Sequence, residues 1–402
     1  MPSIPTKTRE YVFAARALAH DDGRSWPRHL VCLARTRLAH NIGPADYVAC
    51  GMYALPTSAF GKFLKKKSLE ALQAAVNLVE VRPFADDKLR FWRHCVDAGL
   101  PVPRLHAVVG AAEPGLVGEI PVLRDAAPLA RILAALPPGT AFVIKPTDGD
   151  CGRGVLVLAR ADHGDGIVER GAPLSPADVA EQIIAVPDQV TWLVQKRITA
   201  HPDLRPIMAG DGVGTVRAVT LHDGAALSIL HCSLRITAAG AVADNFNHGE
   251  SSNLLGDIDL EHGTLVRAWW RDRRAHRFLV REQPTQLDTG ASLAGVALPC
   301  WPETIAAILK AAEVMGDLPT LGFDVAITPR GPVFLEANWR WDPGLPQVAR
   351  RQGPRPAMER FAAERRGLQA TLKWNTLYKH LKFARHAFPD RSLGQQPRTQ
   401  AA

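Results

Sequence analysis

Apolar and polar positions divide the chain into a helical first part and a strand-rich remainder. In residues 1–85 apolar side chains recur at helical spacing, as in segments 10–19 and 26–38, and the chain shows no strand–helix–strand alternation there. Between residues 140 and 340, short apolar runs bounded by Gly, Pro and Asp predict strands mixed with a few helices. This pattern predicts an α+β fold rather than a doubly wound parallel sheet.

The same change of pattern sets the predicted domain boundaries. Residues 1–85 form a helical N-terminal region, and residues 86–195 form a first strand-rich part that contains a glycine-rich hairpin. Residues 196–350 form a second strand-rich part that ends in another hairpin, and residues 351–402 form a helical tail. A length of 402 residues accommodates several such units, each with its own core.

Charge changes this picture only near the C-terminal end. The formal net charge of the chain is +8, and residues 350–402 contain twelve basic and three acidic side chains, so the rest of the chain is close to neutral. A near-neutral body is not typical of a nucleic-acid-binding domain, and we expect no nucleic-acid partner. The basic tail alone has the charge to contact an acidic surface.

The tail has a helical pattern of its own. Trp374, Leu377, Leu381 and Phe388 recur at helical spacing with basic side chains between them, which predicts a basic amphipathic helix. The favoured interpretation is a helix that packs its apolar face on the body of the protein. The alternatives are peripheral contact with an anionic membrane surface and contact with another macromolecule.

Cysteine usage and hydropathy predict a cytoplasmic protein. The six cysteines lie far apart, without a CxxC pair, which argues against the common structural zinc patterns and against a disulfide scaffold. No stretch approaches about 20 uninterrupted apolar residues, and the first residues lack the pattern of a secretory signal. If the tail bound lipid, the protein would lie at the inner face of the membrane.

A glycine-rich loop follows one of the predicted strands. The strand leads into Lys145, and the loop that follows contains Gly149, Gly152, Arg153 and Gly154. Glycines let backbone N–H groups approach phosphate oxygens, and a lysine adds a point charge to the same oxygens. The pattern is neither GxxxxGK[ST] nor GxGxxG before a helix. It predicts a polyphosphate site on a hairpin, with an ordinary surface hairpin as the alternative.

Two acidic residues and an amide stand near the end of the strand-rich region. Asp324 lies on one predicted strand, and Glu336 and Asn338 lie two residues apart on the next, so these two share one face of the sheet. A hairpin can bring Asp324 beside them, and three such oxygen ligands suit Mg²⁺ together with substrate phosphates. In the alternative, the carboxylates pair with arginines and Asn338 caps a turn.

The lysine-bearing glycine hairpin, followed about 180 residues later by a D…ExN hairpin, resembles the arrangement of ATP-grasp enzymes. The likeness covers residues 86–350, and in particular the chain resembles the sugar-transfer-associated ATP-grasp group, with relatives among the glutamate-ligase-like proteins. This resemblance implies two α+β lobes that close on ATP, with Mg²⁺ as the second cofactor.

The resemblance also implies roles for individual nucleotide-binding residues. Lys88, in an Asp-Lys pair that opens a predicted helix, matches the first phosphate lysine of the family, and Lys145 matches the second. The strand and linker that hold the adenine in the family correspond to Gln195, Lys196 and the backbone near Ile198.

Catalytic and substrate-binding roles follow from the same resemblance. Arg217, in the segment GTVRAVT, matches the arginine that steadies the transferring phosphate, and Arg235 on the partner strand is a second candidate, with a salt-bridged strand residue as its alternative. Asn245 and His248 lie in a segment that resembles the loop beside the acceptor site. The D…ExN residues match the metal triad of the family.

These features predict an ATP-dependent carboxylate ligase that acts through an acyl phosphate. Its partners would be a small-molecule carboxylate and an amine or thiol, one of them sugar-linked, as in cell-surface polysaccharide synthesis; the sugar rests on family analogy. One alternative is a kinase that phosphorylates a hydroxyl group. The other is a non-catalytic nucleotide-binding protein, against which the presence of both lysines, the arginine and the metal triad argues.

Overall fold

The computed structural model describes residues 6–366, apart from residues 149–152, 165, 170, 187–189, 210–211, 224–225, 242, 247–250 and 273–277. Helices and two seven-stranded sheets occupy this part of the chain, which confirms the predicted α+β class. The amphipathic helix predicted around residues 370–388 lies outside the described residues. Among the described helices, none has the length and apolar character needed to cross a bilayer.

Six α-helices precede the first strand, in agreement with the helical pattern of this region. They are α1 (Thr6–Asp22), α2 (Trp26–His40), α3 (Pro44–Ala49), α4 (Lys66–Val76), α5 (Pro83–Asp86) and α6 (Lys88–Asp97). The side chain of Asp87 caps α6 by accepting hydrogen bonds from the backbone N–H groups of Leu89 and Arg90, both at 2.8 Å. This cap fixes where α6 begins, and therefore where Lys88 lies.

The first sheet contains seven strands, and its larger core lies on the face covered by α8 and α9. Its elements are β1 (Leu105–Val109), α7 (Pro114–Val117), β2 (Val122–Leu123), α8 (Ala126–Ala135), β3 (Ala141–Pro146), β4 (Leu156–Arg160), β5 (Ile167–Glu169), β6 (Ala172–Leu174), α9 (Pro176–Ile184) and β7 (Trp192–Lys196). The strand order is β2-β1-β7-β3-β4-β5-β6. Side chains alternate along β3: Phe142 and Ile144 pack with α8 and α9, so Val143 and Lys145 project from the other face.

The second sheet is antiparallel throughout its described pairings. Its elements are β8 (Thr215–His222), β9 (Leu227–Ile236), β10 (Leu254–Asp259), β11 (Thr264–Arg271), β12 (Val280–Glu282), α10 (Trp301–Val314), β13 (Thr320–Thr328) and β14 (Gly331–Asn338). They are ordered β12-β11-β10-β9-β8-β13-β14. One face forms a continuous apolar core in which Phe323 and Phe334 of the sheet and Ile308 of α10 are fully buried.

Helix α6 packs against both sheets. Phe91 and Cys95 belong to the core of the second sheet. Leu89 and Trp92, on another side of the same helix, belong to a smaller cluster with Leu193 of the first sheet. Because the apolar residues of α6 divide between two cores, this helix joins the two sheets and places Lys88, its first residue, between them.

Between the second sheet and residue 366, where the described part of the chain ends, lie two helices, α11 (Gly344–Arg350) and α12 (Arg355–Arg366). Together with the N-terminal helices they cover the face of the second sheet opposite to α10. The amide of Gln347 in α11 accepts from the backbone N–H of Leu64 at 2.6 Å and donates to the carbonyl oxygen of Leu64 at 3.1 Å. The N-terminal helices are therefore packed on the body of the protein.

Candidate functional site

A cleft of about 810 Å³ lies between the two sheets. This volume falls in the range of ligand pockets, roughly 300–1,000 Å³. Strands β3, β4, β5 and β7 contribute residues to one wall, and β8, β9, β13 and β14 contribute residues to the other. Apolar side chains of the first sheet therefore face polar and charged side chains of the second.

Two lysines reach this cleft from different elements. The pKa of Lys145, at the end of β3, is lowered to about 8, because burial and, to a smaller extent, the nearby charge of Lys88 outweigh the opposing effect of Glu336. The Nζ atom of Lys88 lies 3.8 Å from Oε2 of Glu336. The backbone N–H of Lys88 donates to the carbonyl oxygen of Thr147 at 2.9 Å, which ties the start of α6 to the segment after β3.

The residues predicted to hold the adenine lie at the end of β7. Gln195 is buried, Lys196 is exposed, and both line the cleft together with Ile198. The pairing of β3 with β7 sets Val143 directly opposite Gln195. Val143 and Val157 thus give this wall an apolar surface against which a planar ring can pack.

Only part of the glycine-rich loop is described. Gly149 and Gly152 lie outside the described residues, whereas Arg153 lines the cleft. Gly154 has a φ of +72°, a backbone conformation that favours glycine. A Cβ at this position would lie 3.5 Å from Trp192, so the turn packs closely against the first sheet.

Asp324 binds two arginines inside the second sheet. Nε and Nη2 of Arg217 donate to its two carboxylate oxygens, with Nη2 at 2.8 Å from Oδ2, and Nη1 of Arg235 donates to Oδ2 at 2.9 Å. Burial alone would raise the pKa of Asp324, but the two guanidinium groups outweigh burial and hold it below its usual range. Arg235 lines the cleft, whereas Arg217 is not among the described lining residues.

Asp244 also belongs to the site; it opens the segment that resembles the loop beside the acceptor site, although the resemblance assigned it no role. Its Oδ2 accepts hydrogen bonds from the hydroxyl group and, at 3.0 Å, from the backbone N–H of Thr215, and its Oδ1 lies 3.5 Å from Nη1 of Arg235. Burial and the neighbouring charge of Asp324 raise its pKa, while Arg235 lowers it. Asp244 and Asp324 thus hold the same guanidinium group between them.

Glu336 and Asn338 lie beside each other at the end of β14. The side-chain amide of Asn338 donates to Oε1 of Glu336 at 3.4 Å, and Glu336 is directly opposite Asp324 in the sheet. Burial raises the pKa of Glu336, and the adjacent carboxylate of Asp324 raises it further. Glu336 and Asp324 line the cleft; Asn338 is not among the described lining residues.

These side chains are of the types that bind Mg²⁺, and the pairing of Asp324 with arginines is also the alternative that the sequence left open. The carboxylate of Asp324 still raises the pKa of the adjacent Glu336, and a divalent cation beside Glu336 would offset that repulsion. Carboxylate and amide oxygens are the ligands that Mg²⁺ takes, with the remaining positions filled by water and phosphate. In the described part of the chain, no three or more His, Cys, Asp or Glu side chains are grouped so that they could hold a metal ion by themselves.

A row of polar side chains crosses the second sheet on the face that carries Asp324. Successive strands place these residues directly opposite one another in the order Glu336, Asp324, Arg217, Ser233, Asp257 and Arg267. Residues directly opposite in antiparallel strands project to the same face. The buried hydroxyl group of Ser233 has no hydrogen-bond partner among the described residues.

The predicted acceptor residues are only partly described. Asn245 lines the cleft next to Asp244, and its carbonyl oxygen accepts from the side-chain amide of Asn253 at 3.0 Å. His248 falls in the segment 247–250, outside the described residues.

Cationic side chains outnumber carboxylates among the described residues that line the cleft. The cations are Lys88, Lys145, Arg153, Lys196, Arg197 and Arg235, and the carboxylates are Asp244, Asp324 and Glu336. A cleft with this excess of positive charge attracts a polyanion.

The sequence profile of the sugar-transfer associated ATP-grasp family matches residues 69–363. This span is well over half of the chain and includes both sheets and every described residue of the cleft. The chain belongs to this family. Enzymes of the ATP-grasp type use ATP and Mg²⁺, and the described cleft of this ATP-grasp protein has the charge to hold a nucleotide polyphosphate.

Solved structures with distant likeness to this ATP-grasp protein include three ATP-grasp proteins or ligases. They are a RimK domain protein from Sphaerobacter thermophilus (17% identity, TM-score 0.32), D-alanine–D-alanine ligase from Helicobacter pylori (10%, 0.39) and phosphoribosylamine–glycine ligase from Thermotoga maritima (13%, 0.39). The alignments cover 68%, 72% and 73% of this chain and 67%, 61% and 57% of those chains. No curated protein sequence gives a significant match.

Proposed function

We propose that this protein is an ATP-dependent ligase that joins a small-molecule carboxylate to an amine. The observation that carries the proposal is the cleft itself, in which Lys145 of the first sheet and Lys88 of α6 face Glu336 and Asp324 of the second sheet. Two ammonium groups opposite two carboxylates suit a phosphate chain with a divalent cation. Family membership supports ATP as the source of those phosphates.

The adenine would lie against the apolar wall of the first sheet. Val143 and Val157 offer that surface, and Gln195 and the backbone near Ile198 offer polar groups at its edge. The phosphates would then extend toward Lys88 and Lys145. An apolar pocket with a few polar groups at one end is the usual form of a nucleotide site.

Mg²⁺ bound by Asp324, Glu336 and Asn338 would neutralise phosphate charge and orient the γ-phosphate. Arg235 adds a fixed positive charge of its own. Although burial lowers the pKa of Arg235, its ion pairs with Asp324 and Asp244 outweigh burial and raise it, so this guanidinium group remains charged. Because two carboxylates hold Arg235, it can stabilise charge on the transferring phosphoryl group without rearranging.

In the first step, an oxygen of the substrate carboxylate attacks the γ-phosphorus and the bond to the β–γ bridging oxygen breaks, so ADP leaves and an acyl phosphate forms. In the second, the amine attacks the acyl carbon, inorganic phosphate leaves, and the amine loses a proton to solvent. Residues of the cleft supply positioning and charge, and none acts as a covalent nucleophile. We infer that one substrate is sugar-linked, which rests on the description of the family.

Calorimetry of Mg²⁺–ATP binding tests the nucleotide site. Lys145→Ala should weaken ATP binding about tenfold to hundredfold, because it removes a charged partner of the phosphates. Lys310→Ala, which removes an exposed lysine on α10, is the matched control and should bind ATP as the wild type does. Equal affinity in Lys145→Ala and wild type would contradict the assignment of the site.

Product analysis tests the reaction. Incubation with ATP and pools of carboxylates and amines should give ADP and free phosphate in equal amounts. A stable phosphorylated product without free phosphate would instead establish a kinase. ATP binding without any ADP release in the presence of substrates would favour a nucleotide-binding protein without turnover.

A further inference from the structure

The helical hairpin formed by α1 and α2 presents arginines and exposed apolar side chains on its outer surface. On α1 the outer face carries Arg9, Phe13, Arg16 and His20, spaced by four, three and four residues, which places them above one another on the helix. The opposite face of α1 is buried and consists of Ala14, Ala15 and Leu18. The exposed residues are therefore a distinct face and not the edge of the buried one.

Helix α2 repeats this arrangement. Arg28, Val31, Arg35 and Leu38 lie three or four residues apart on its outer face and are all exposed. The buried residues of α2 are His29, Leu33 and Thr36, on the opposite face. Both helices thus alternate arginine with apolar side chains toward solvent.

Four large apolar side chains of the hairpin are exposed to solvent. The exposed fraction is 87% for Leu38, 61% for Phe13, 56% for Val31 and 40% for Trp26. The guanidinium carbon of Arg16 lies 5.7 Å from the ring centroid of Trp26, so the outer face of α1 adjoins the start of α2. Single exposed apolar side chains are normal in proteins, but several on adjoining helices mark an interaction surface.

The hairpin has three carboxylates, and two of them are mostly buried. Asp22 accepts from His29 at 2.9 Å, and Asp21 pairs with Arg281 of β12 at 2.6 Å. Their side chains are only 19% and 12% exposed, and the third acid, Glu10 on α1, is half-buried. The outward arginines at positions 9, 16, 28 and 35 outnumber this one half-buried carboxylate, so the hairpin surface is basic.

We propose that the outer surface of the α1–α2 hairpin binds an anionic lipid bilayer. Helices that lie in the interface of a membrane carry basic side chains that meet lipid phosphates and apolar side chains that enter the acyl region. The hairpin supplies both, and it precedes the residues matched by the family profile, which begin at position 69. It is thus an element in addition to the matched catalytic fold.

Charge excludes the other occupants. A second copy of this chain would bring one basic hairpin against another, and the C-terminal tail is itself basic. A nucleic acid would meet the arginines and could stack bases on Phe13 and Trp26, but it would offer no apolar environment to the exposed aliphatic side chains of Val31 and Leu38. An anionic bilayer complements the arginines and the apolar side chains together.

The test is co-sedimentation of the full chain with vesicles. We expect binding to phosphatidylcholine vesicles that contain about one third phosphatidylglycerol, and little binding to pure phosphatidylcholine. Arg28→Glu/Arg35→Glu should weaken binding about tenfold or more, since each basic residue near an anionic surface contributes about fivefold. Val31→Ser/Leu38→Ser should weaken it severalfold with the charge unchanged.

Arg131→Glu/Arg330→Glu is the matched control, because both arginines are exposed and lie on α8 and the β13–β14 turn. It has the same net charge as the first variant and should bind vesicles as the wild type does. Full-length protein is used throughout, so any contribution of the tail is common to all samples. The proposal is overturned if wild type ignores the anionic vesicles, if both hairpin variants bind like wild type, or if the control loses as much binding as Arg28→Glu/Arg35→Glu. It is also overturned if Val31→Ser/Leu38→Ser binds the anionic vesicles as tightly as the wild type does. That result would mean that the surface binds polyanions through charge alone.

Discussion

The two faces of the second sheet are built from alternate residues of the same strands, yet they differ in chemistry: one is apolar, and the other carries the charged residues of the cleft. Phe323 and Asp324 are neighbours on β13: the first is in the apolar core with α10, and the second binds two arginines and faces the cleft. On β9, Cys232 lies in the same apolar core, and Ser233 projects from the other face with a buried hydroxyl group. One face is an apolar core throughout, whereas the other combines apolar clusters under the N-terminal helices, α11 and α12 with the charged residues that line the cleft.

The first sheet repeats this contrast on β3. Ile144 packs with α8 and α9, and Lys145, the next residue, reaches the cleft with a lowered pKa. Burying an amine costs stability, so packing of the fold does not by itself account for a lysine in this position. Changes in the apolar cores should therefore alter stability, and changes at the residues that line the cleft should alter ligand binding.

The largest effect is expected on the apolar face. Phe323→Ala should lower the free energy of unfolding by about 3–5 kcal/mol, because it leaves a cavity beside Phe334 in a fully buried core. Urea unfolding followed by tryptophan fluorescence measures this change. The fraction that remains folded should bind ATP with the affinity of the wild type; a loss of affinity in the folded protein would show that the two faces are not separable.

An intermediate effect is expected from the charge of Lys145. Its pKa of about 8 means that the ammonium group loses its proton as the pH rises above 8, while bound phosphates favour the protonated form. ATP affinity should therefore fall by up to about tenfold per pH unit above pH 8. Lys145→Arg keeps its charge in this range, so its pH profile of ATP binding, measured by calorimetry, should be flat.

The lowered pKa of Lys145 affects the stability of the fold in the opposite direction to ATP affinity. Between pH 8 and the ordinary lysine value of 10.5, the unfolded chain binds more protons at this position than the folded chain. The contribution of Lys145 to the free energy of unfolding therefore becomes more favourable as the pH rises through this window.

For ATP binding, identical pH profiles in the wild type and Lys145→Arg would mean that a group other than Lys145 titrates above pH 8.

The smallest effect is expected at Ser233. Its hydroxyl group is buried without a described partner, so Ser233→Ala removes an unsatisfied polar group and should change the free energy of unfolding by less than about 1 kcal/mol, or raise it. Cys232→Ser, one residue earlier on the apolar face, is the matched change and should lower it by about 1–3 kcal/mol. A large loss in Ser233→Ala, measured by the same urea titration, would mean that the hydroxyl group has a structural partner.

Local pattern was sufficient for the parts of the fold that are continuous in the chain. The β3–β4 and β13–β14 hairpins and the helices of the first 85 residues could be predicted because turn residues and apolar spacing are local signals. Strands β10 to β12 were not predicted, although they form nearly half of the second sheet. Their residues mix charged and apolar side chains on a sheet that is covered on both faces, so simple alternation is weak there.

The site was harder to predict, because many of its residues contact side chains that are distant in the sequence. Arg217 and Asp324 are 107 residues apart, and only the register of β8 against β13 shows that they pair. The contacts of Asp244 with Arg235 and Thr215 were not predicted for the same reason. The roles assigned to the site residues stay predictions, because chain pattern and geometry alone leave catalysis untested.

The hydrogen bond from the backbone of Lys88 to Thr147 has a consequence for how the protein could release a nucleotide. It joins the start of α6 to the segment just beyond β3, while Phe91 and Cys95 of the same helix are packed in the core of the second sheet. A motion that widened the cleft would therefore have to break this hydrogen bond or pull the start of α6 away from one of its two cores. Release of a nucleotide would then be coupled to a local rearrangement at Lys88, which makes the first turn of α6 the place where opening of the cleft is resisted.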